Sequence, residues 1–253
     1  MRILLIIIEV MLTTSLISKL YAEQTLRIAT GEFPPYNSKS LKHGGLMPHI
    51  IKEAFAIAGY KAQFEFYPWK RAYQMSADGI VDATAQWLDS KERRKHHFYS
   101  DPIVEERTTW IYLKETTFDW DSYDDLKKYR IAAITGYTYT PEFYDAVKNK
   151  NIKVQFVLRL DQSLRLVLEK RVDLTLEDMD VAYFKLRKLF PENVVAQFTT
   201  HSKPVQISYN HLLISKAKPD AEKVLKLFNY GLHKLKEKGV INKYIDNSRK
   251  GLY

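Results

Sequence analysis

A chain of 253 residues with 45% hydrophobic residues and no cysteine has enough apolar material for one large or two modest domains, held by core packing alone. The absence of cysteine excludes a disulfide framework and a cysteine nucleophile. The formal charge of +9 favours anionic small ligands or an anionic membrane surface, and no groove-reading nucleic-acid motif accompanies it.

The N-terminus carries a basic residue, Arg2, then a mostly apolar run over residues 3–12 interrupted by Glu9, then a polar stretch ending in Leu20-Tyr21-Ala22. That order reads as a secretory signal over residues 1–22, cleaved before Glu23. The run is too short for a membrane span of about 20 apolar residues; an uncleaved anchor is the alternative. With no cysteine for lipid attachment, the mature chain is expected to diffuse freely in the periplasm of a double-membraned bacterium.

Short apolar runs then alternate with helical patterns, which predicts α/β layers. Residues 26–30 read as a buried strand, followed by a loop rich in Gly, Pro and Asn. A helix is expected over 47–58, with Ile50, Ile51, Ala54, Phe55 and Ala58 on one face and Gly59 as its stop. A strand over 63–67, a helix over 69–77 ending at Gly79, and a strand over 81–85 complete the first block. The second block opens with the capping box Ser122-Tyr-Asp-Asp125. Strands are expected over 130–135, 154–158 and 172–176. Helices are expected at Thr140-Pro141, an N-cap with proline at N1, at Asp161, and after Asp178.

Two extended runs without helical period, 104–114 and 205–216, flank the second block, and a long helical pattern over 219–238 follows. The chain is therefore expected to leave one lobe (residues 23–108), build a second (109–210), and return to the first (211–253) through paired hinge strands. No Pro/Gly/Ser linker of the kind that joins independent domains is present.

The stretch from Asp82 to Pro102, DATAQWLDSKERRKHHFYSDP, places Arg93 seven residues before a Ser-x-Pro turn at Ser100 and Pro102. Ser90-Lys-Glu-Arg93, six residues, then Ser100-x-Pro102 resembles the anion-holding signature of the family 3 extracellular solute-binding proteins, the polar-amino-acid receptors of ABC importers. The resemblance extends from Leu26 to Tyr244. It implies a two-lobed type 2 periplasmic-binding-protein fold, each lobe a βαβ-type sheet with flanking helices.

The resemblance also implies a site. Arg93 matches the arginine that forks a ligand carboxylate through two charge-assisted bonds, leaving Arg94 and Lys95 to solvent. In the loop Thr30-Gly-Glu-Phe-Pro-Pro-Tyr36, Phe33 falls on the ring position over the ligand with Tyr36 close behind; a core aromatic is the alternative. The family reads Gly-x-x-Asp, four residues, Asp; here Lys170-Arg-Val-Asp173, with lysine in the glycine position, is followed after four residues by Asp178, which matches the aspartate that takes an α-ammonium, although an N-cap would use the same residue. Gly136-Tyr-Thr138 matches a loop whose N–H groups and hydroxyl help hold the carboxylate.

Several positions depart from the pattern. Where the family carries Ser or Thr hydroxyls before the arginine, this chain reads Ala85-Gln-Trp-Leu88, so Gln86 and Trp87 would reshape the pocket. His49 replaces an aspartate of the first helix. Trp69 and Arg71, in Tyr67-Pro-Trp-Lys-Arg71, face the cleft or, for Trp69, begin a helix as a core residue. No metal-ligand spacing or catalytic motif appears, so neither cofactor nor metal is expected.

The resulting expectation is a monomeric, non-catalytic receptor for a small zwitterionic or anionic ligand that hands its cargo to an inner-membrane ABC permease. The rivals are a receptor that presents ligand to a membrane sensor, and a dehydratase-like enzyme using a carboxylate such as Glu177.

Overall fold

The computed structural model describes residues 24–253; the expected signal segment lies outside them. Strand β1 (Gln24–Thr30) runs parallel to both β2 (Tyr60–Phe66) and β3 (Ala83–Trp87), with helix α1 (Leu46–Ile57) and helix α2 (Trp69–Ala77) as the crossovers. The expected stripe of α1 is the buried one: Ile50, Ile51, Ala54 and Phe55 are fully enclosed, whereas Ala58 forms the C-cap.

The second block repeats the scheme. Ser122 and Asp125 form the capping box of a 3-10 turn (Tyr123–Lys128), and β6 (Arg130–Ile134) lies parallel to β7 (Lys153–Val157) and β8 (Leu174–Asp178). Helices α3 (Pro141–Lys148), α4 (Leu160–Leu168) and α5 (Met179–Leu189) connect and cover these strands. Thr140 caps α3 by accepting from the Phe143 N–H at 3.3 Å, with Pro141 in the first helical position.

Two strands begin two residues later than their apolar runs, for one shared reason. After α2 the chain turns through Gly79 at φ +71°, and the N–H groups of Ile80 and Val81 both return to the Met75 carbonyl. After α4 it turns through Lys170 at φ +56°, and Arg171 and Val172 return to Leu166. In each case the first apolar residues close the helix, and the strand starts only once those bonds are made.

The two blocks meet through β5 (Val104–Leu113) and β10 (Gln206–Ser215), the two extended runs foreseen in the sequence. They pair antiparallel from Val104↔Asn210 to Thr108↔Gln206. The far half of β10 pairs with β3 and with β4 (His97–Tyr99); the far half of β5 pairs with β8 and with β9 (Phe198–Thr200). The sheet order is β2-β1-β3-β10-β5-β8-β6-β7, so these two strands are the bridge between a first and a second lobe.

Helix α6 (Glu192–Val195) precedes β9; after β10, α7 (Ala221–Glu237) returns to pack on α1, Phe228 against Phe55 at 5.0 Å, and α8 (Val240–Arg249) follows. The largest buried cluster includes Ile50, Phe55 and Phe228 in the first lobe and Leu164 and Leu186 in the second. Another core, around Trp110, Trp120 and Phe143, fills the other face of the second lobe.

Candidate functional site

The site begins with an irregularity in β3. Trp87 pairs with His211 and Ala85 with Leu212, so Gln86 has no partner on β10 and forms a bulge. Its φ is +70°, a left-handed conformation that non-glycine residues rarely adopt inside a strand. The bulge sends the Gln86 side chain, only 7% exposed, across to the bridge strand, where Nε2 donates to Glu106 Oε1 at 2.6 Å. Glu106 faces Ser208 across the bridge, and Asn210 is two residues further along the same face of β10.

Gln86, Glu106 and Asn210 form part of a cavity of about 320 Å³. Its remaining walls are Phe33, Trp69, Trp87, Leu88 and Arg93. Trp69 meets Trp87 edge-on, with centroids 5.3 Å apart at 82°, and Trp87 Nε1 donates to Thr84 Oγ1 at 2.8 Å. Gly31 is needed beneath this wall, because a Cβ there would overlap the Trp69 indole.

Arg93 and Arg94 are adjacent in sequence and differently employed. Arg94 is forked onto Asp89 by Nε and Nη2 bonds of 2.7 and 2.8 Å. The Arg93 guanidinium lies 4.7 Å above the Trp87 ring and donates Nη1 to the Leu88 carbonyl at 3.1 Å. It takes part in no ion pair among the described residues, so its charge faces the cavity with most of its donors free.

Six other residues singled out in the sequence are not among the residues lining this cavity. Tyr36 is buried, stacked on Phe33 at 5.6 Å, and donates its hydroxyl to Asp178 at 3.2 Å. Asp178 is buried at the end of β8 and caps α5 by accepting from Val181 N–H at 2.9 Å; it also accepts from Arg107 N–H at 3.1 Å. Gly136 and Thr138 are exposed in the loop before α3. Arg71 is exposed and stacks on Tyr67 at 4.8 Å. His49 is held by stacking on His43 and Tyr244 and by the Tyr253 hydroxyl at 2.6 Å, and burial pushes its pKa down to about 4.

Around the bridge the carboxylates are crowded. Burial, reinforced by the Asp178 charge, pushes Glu106 up to about 8. Burial also raises Glu177 to about 8 and Asp178 to about 7. Glu177 is 6% exposed and its Oε1 accepts from the Asp178 N–H at 2.9 Å, which ties it to the backbone rather than to the cavity. A further cavity of about 270 Å³ lies where α5 meets α8, beside the Arg249–Asp180 pair at 2.7 Å.

Glu106 and Asn210 were not foreseen. The available signal was the acidic pair Glu105-Glu106 inside an extended run; alternation separates the two, and only Glu106 lines the cavity. No group of three or more His, Asp or Glu side chains among the described residues is arranged to hold a metal, and no helix among them is long and apolar enough to cross a membrane.

A cleft beside two bridge strands, walled by aromatic rings and holding one unpaired guanidinium, belongs to the two-lobed α/β binding folds. The chain is a member of the bacterial extracellular solute-binding proteins, family 3, whose model matches residues 26–247. Solved structures share the type 2 periplasmic-binding-protein fold. Substrate-binding domain 2 of Lactococcus lactis GlnP, in an open conformation, superposes with a TM-score of 0.74 at 17% identity, covering 90% of this chain and 96% of that one. The L-cystine solute receptor of Neisseria gonorrhoeae, unliganded and open, gives 0.70 at 22% identity over 90% and 94%. A histidine kinase sensor domain gives 0.60 at 14% identity over 89% and 96%. At these identities the likenesses establish the fold, and no curated protein matches the sequence.

Proposed function

We propose that this protein is a periplasmic receptor that captures a small amino-acid-like ligand between its lobes and delivers it to an inner-membrane ABC permease. Residues 1–22 are its cleaved signal, residues 23–108 and 211–253 its first lobe, and 109–210 its second. It works as a monomer and by binding, without chemistry on the ligand. The observation that carries the reading is the contrast at Arg93 and Arg94: one guanidinium is spent on Asp89, the other is free above Trp87 in the cavity.

In this reading Arg93 forks the ligand carboxylate, and Phe33, Trp69 and Trp87 hold its body. The second-lobe loop at Gly136 and Thr138 approaches as the bridge strands bend, while Asp178 already meets Tyr36 of the first lobe. Closure is favoured because only the closed form lets both lobes contact the ligand. The neighbours that carry the same fold include a domain named for substrate binding and a receptor named for L-cystine, which supports an amino-acid-like ligand. Presentation to a membrane sensor is the second reading, supported by the sensor domain of the same fold.

The test compares Arg93→Ala with Arg94→Ala in a thermal-shift and calorimetry screen of amino acids, oligoamines and small dicarboxylates. Each bond to a charged group is worth roughly 1.5–3 kcal/mol, so Arg93→Ala is expected to weaken binding by about two to four decades. Arg94→Ala is expected to change it little. Equal losses from both would overturn the assignment of Arg93.

A further inference from the structure

We infer that the bridge strands carry a cation-recognition pole, Glu106 with Gln86 and Asn210, and that the ligand presents a protonated amine to it. The inference rests on the reading just given and adds the chemistry of the other end of the ligand. It also assigns amine recognition to a residue on the bridge itself.

Three observations independent of Arg93 converge here. The first is the backbone. Gln86 occupies an unpaired, left-handed position near the end of β3, and the cost of that conformation is borne at a residue whose side chain reaches Glu106. The second is hydrogen bonding. Gln86 Oε1, on a side chain 7% exposed, is buried without a donor, whereas the Asn210 amide lies beside the Glu106 carboxylate and favours its charged form. Buried polar atoms in native proteins are nearly always paired, so an orphaned acceptor on a residue lining the cavity marks a place where a ligand donor completes the network. The third is the carboxylate. Glu106 is only partly enclosed and, with Gln86 and Asn210 beside it, keeps about two of its roughly four lone-pair sites open.

A primary ammonium fits what is left. It brings three donors to a wall offering the remaining Glu106 sites and the Gln86 oxygen, while the rings of Phe33, Trp69 and Trp87 surround the rest of the cavity. A metal ion fits poorly, because Glu106 is the single carboxylate among the cavity's lining residues. The groups facing Glu106 are Asp178 on β8 and Asp180 on α5, with Glu177 and the Tyr36 hydroxyl nearby, so its surroundings are acidic. Burial, reinforced by the Asp178 and Asp180 charges, holds the Glu106 carboxyl up to about 8. An arriving ammonium therefore meets a largely protonated acid at pH 7; on binding, the carboxyl proton leaves to buffer and the ammonium pairs with the carboxylate.

The experiment uses matched probes on the full mature protein: L-phenylalanine with 3-phenylpropanoate, L-leucine with 4-methylpentanoate, and L-lysine with 6-aminohexanoate. Each pair differs in the α-amine alone. Wild type is expected to bind at least one amino member at least about tenfold tighter than its partner. That binding is expected to release protons in calorimetry run in buffers of different ionisation enthalpy.

Glu106→Gln keeps an acceptor for Gln86 and the size of the neutral carboxyl, so it should fold. It is expected to reduce the preference below about threefold and abolish proton release, whereas Arg93→Ala weakens both members of a pair. A preference that survives Glu106→Gln, or des-amino acids that bind wild type as well as their partners, would overturn the inference and leave Arg93 as the carboxylate fork. Loss of sensitivity to Arg93→Ala would instead overturn the functional reading. Failure of every probe to bind wild type would overturn both.

Discussion

Replacing Glu177 by glutamine should convert much of the pH dependence of this protein's stability into a measurable difference between two curves. The side chain is 6% exposed, Oε1 is fixed by the Asp178 N–H, and Oε2 is buried without a partner. Burial, together with the neighbouring Asp178 and Glu106 charges, raises its pKa from an ordinary 4.5 to about 8. Because the folded value is the higher one, the native state holds a proton that the unfolded chain has released. Stability is therefore full below the unfolded value and falls as pH rises toward the folded value.

Between pH 5 and pH 8 this group alone removes on the order of 3 kcal/mol, since each unit of differential titration is worth about 1.4 kcal/mol. For a protein of this size that corresponds to roughly 6–12 °C in Tm. Glutamine cannot ionise, so Glu177→Gln is expected to lose less stability than wild type from pH 5 to pH 8. Its fixed offset reflects only how the new amide hydrogens are accommodated. Thermal and urea unfolding at each pH would show converging or crossing curves. Parallel curves would mean that Glu177 is solvated or paired in solution, and the burial argument would fail.

Two other substitutions probe the scaffold of the site. Lys170 holds a left-handed conformation at the end of α4, where the related pattern carries glycine, and its pair with Glu115 is mostly exposed. Lys170→Gly is expected to raise stability by up to about 1 kcal/mol, and a lower Tm would show that the ion pair or unfolded-chain entropy outweighs the backbone term. Gly31→Ala places a methyl group into the Trp69 indole and is expected to displace that ring, with a stability loss of about 1–3 kcal/mol and an altered tryptophan emission. Unchanged emission and Tm would remove Trp69 from the cavity wall.

Much of the fold was legible because it rests on periodicity and punctuation. The α1 stripe from Ile50 to Phe55, the Thr140-Pro141 cap and the Ser122 capping box reappear, while Ala58, read on the same stripe, is the C-cap. The later starts of β3 and β8 follow from helix-closing bonds, which depend on a turn's dihedrals rather than on residue type. The two bridge strands were legible as extended runs, and their pairing follows from the two-block order.

The site was legible more unevenly. Register along one short segment distinguished Arg93 from Arg94, whose partners are the Leu88 carbonyl and Asp89 respectively. Gln86 and Trp87 stood out as departures, but the bulge that aims Gln86 at Glu106 arises from a two-strand register no single segment encodes. Asp178 carried two readings in the sequence; its oxygens accept from Val181, Arg107 and Tyr36, which meets the requirements of a cap whatever it does in a closed form.

The position of the polar pole has a consequence for how binding and closure are linked. Glu106 and Asn210 lie on the two strands that join the lobes, and Gln86 is on the strand next to them. A charge on a lobe surface contributes to closure only after the lobes have moved, because the ligand must first be brought within reach. A charge on the bridge is in place in the open form. On the proposed reading, an amine would bind Glu106 and a carboxylate would bind Arg93 within the same cavity before any rearrangement. The second lobe would then add contacts to a ligand already oriented at both ends. Loss of hydroxyls before Arg93 is consistent with this division, since their role in gripping the ligand passes to a bulged amide and a bridge carboxylate.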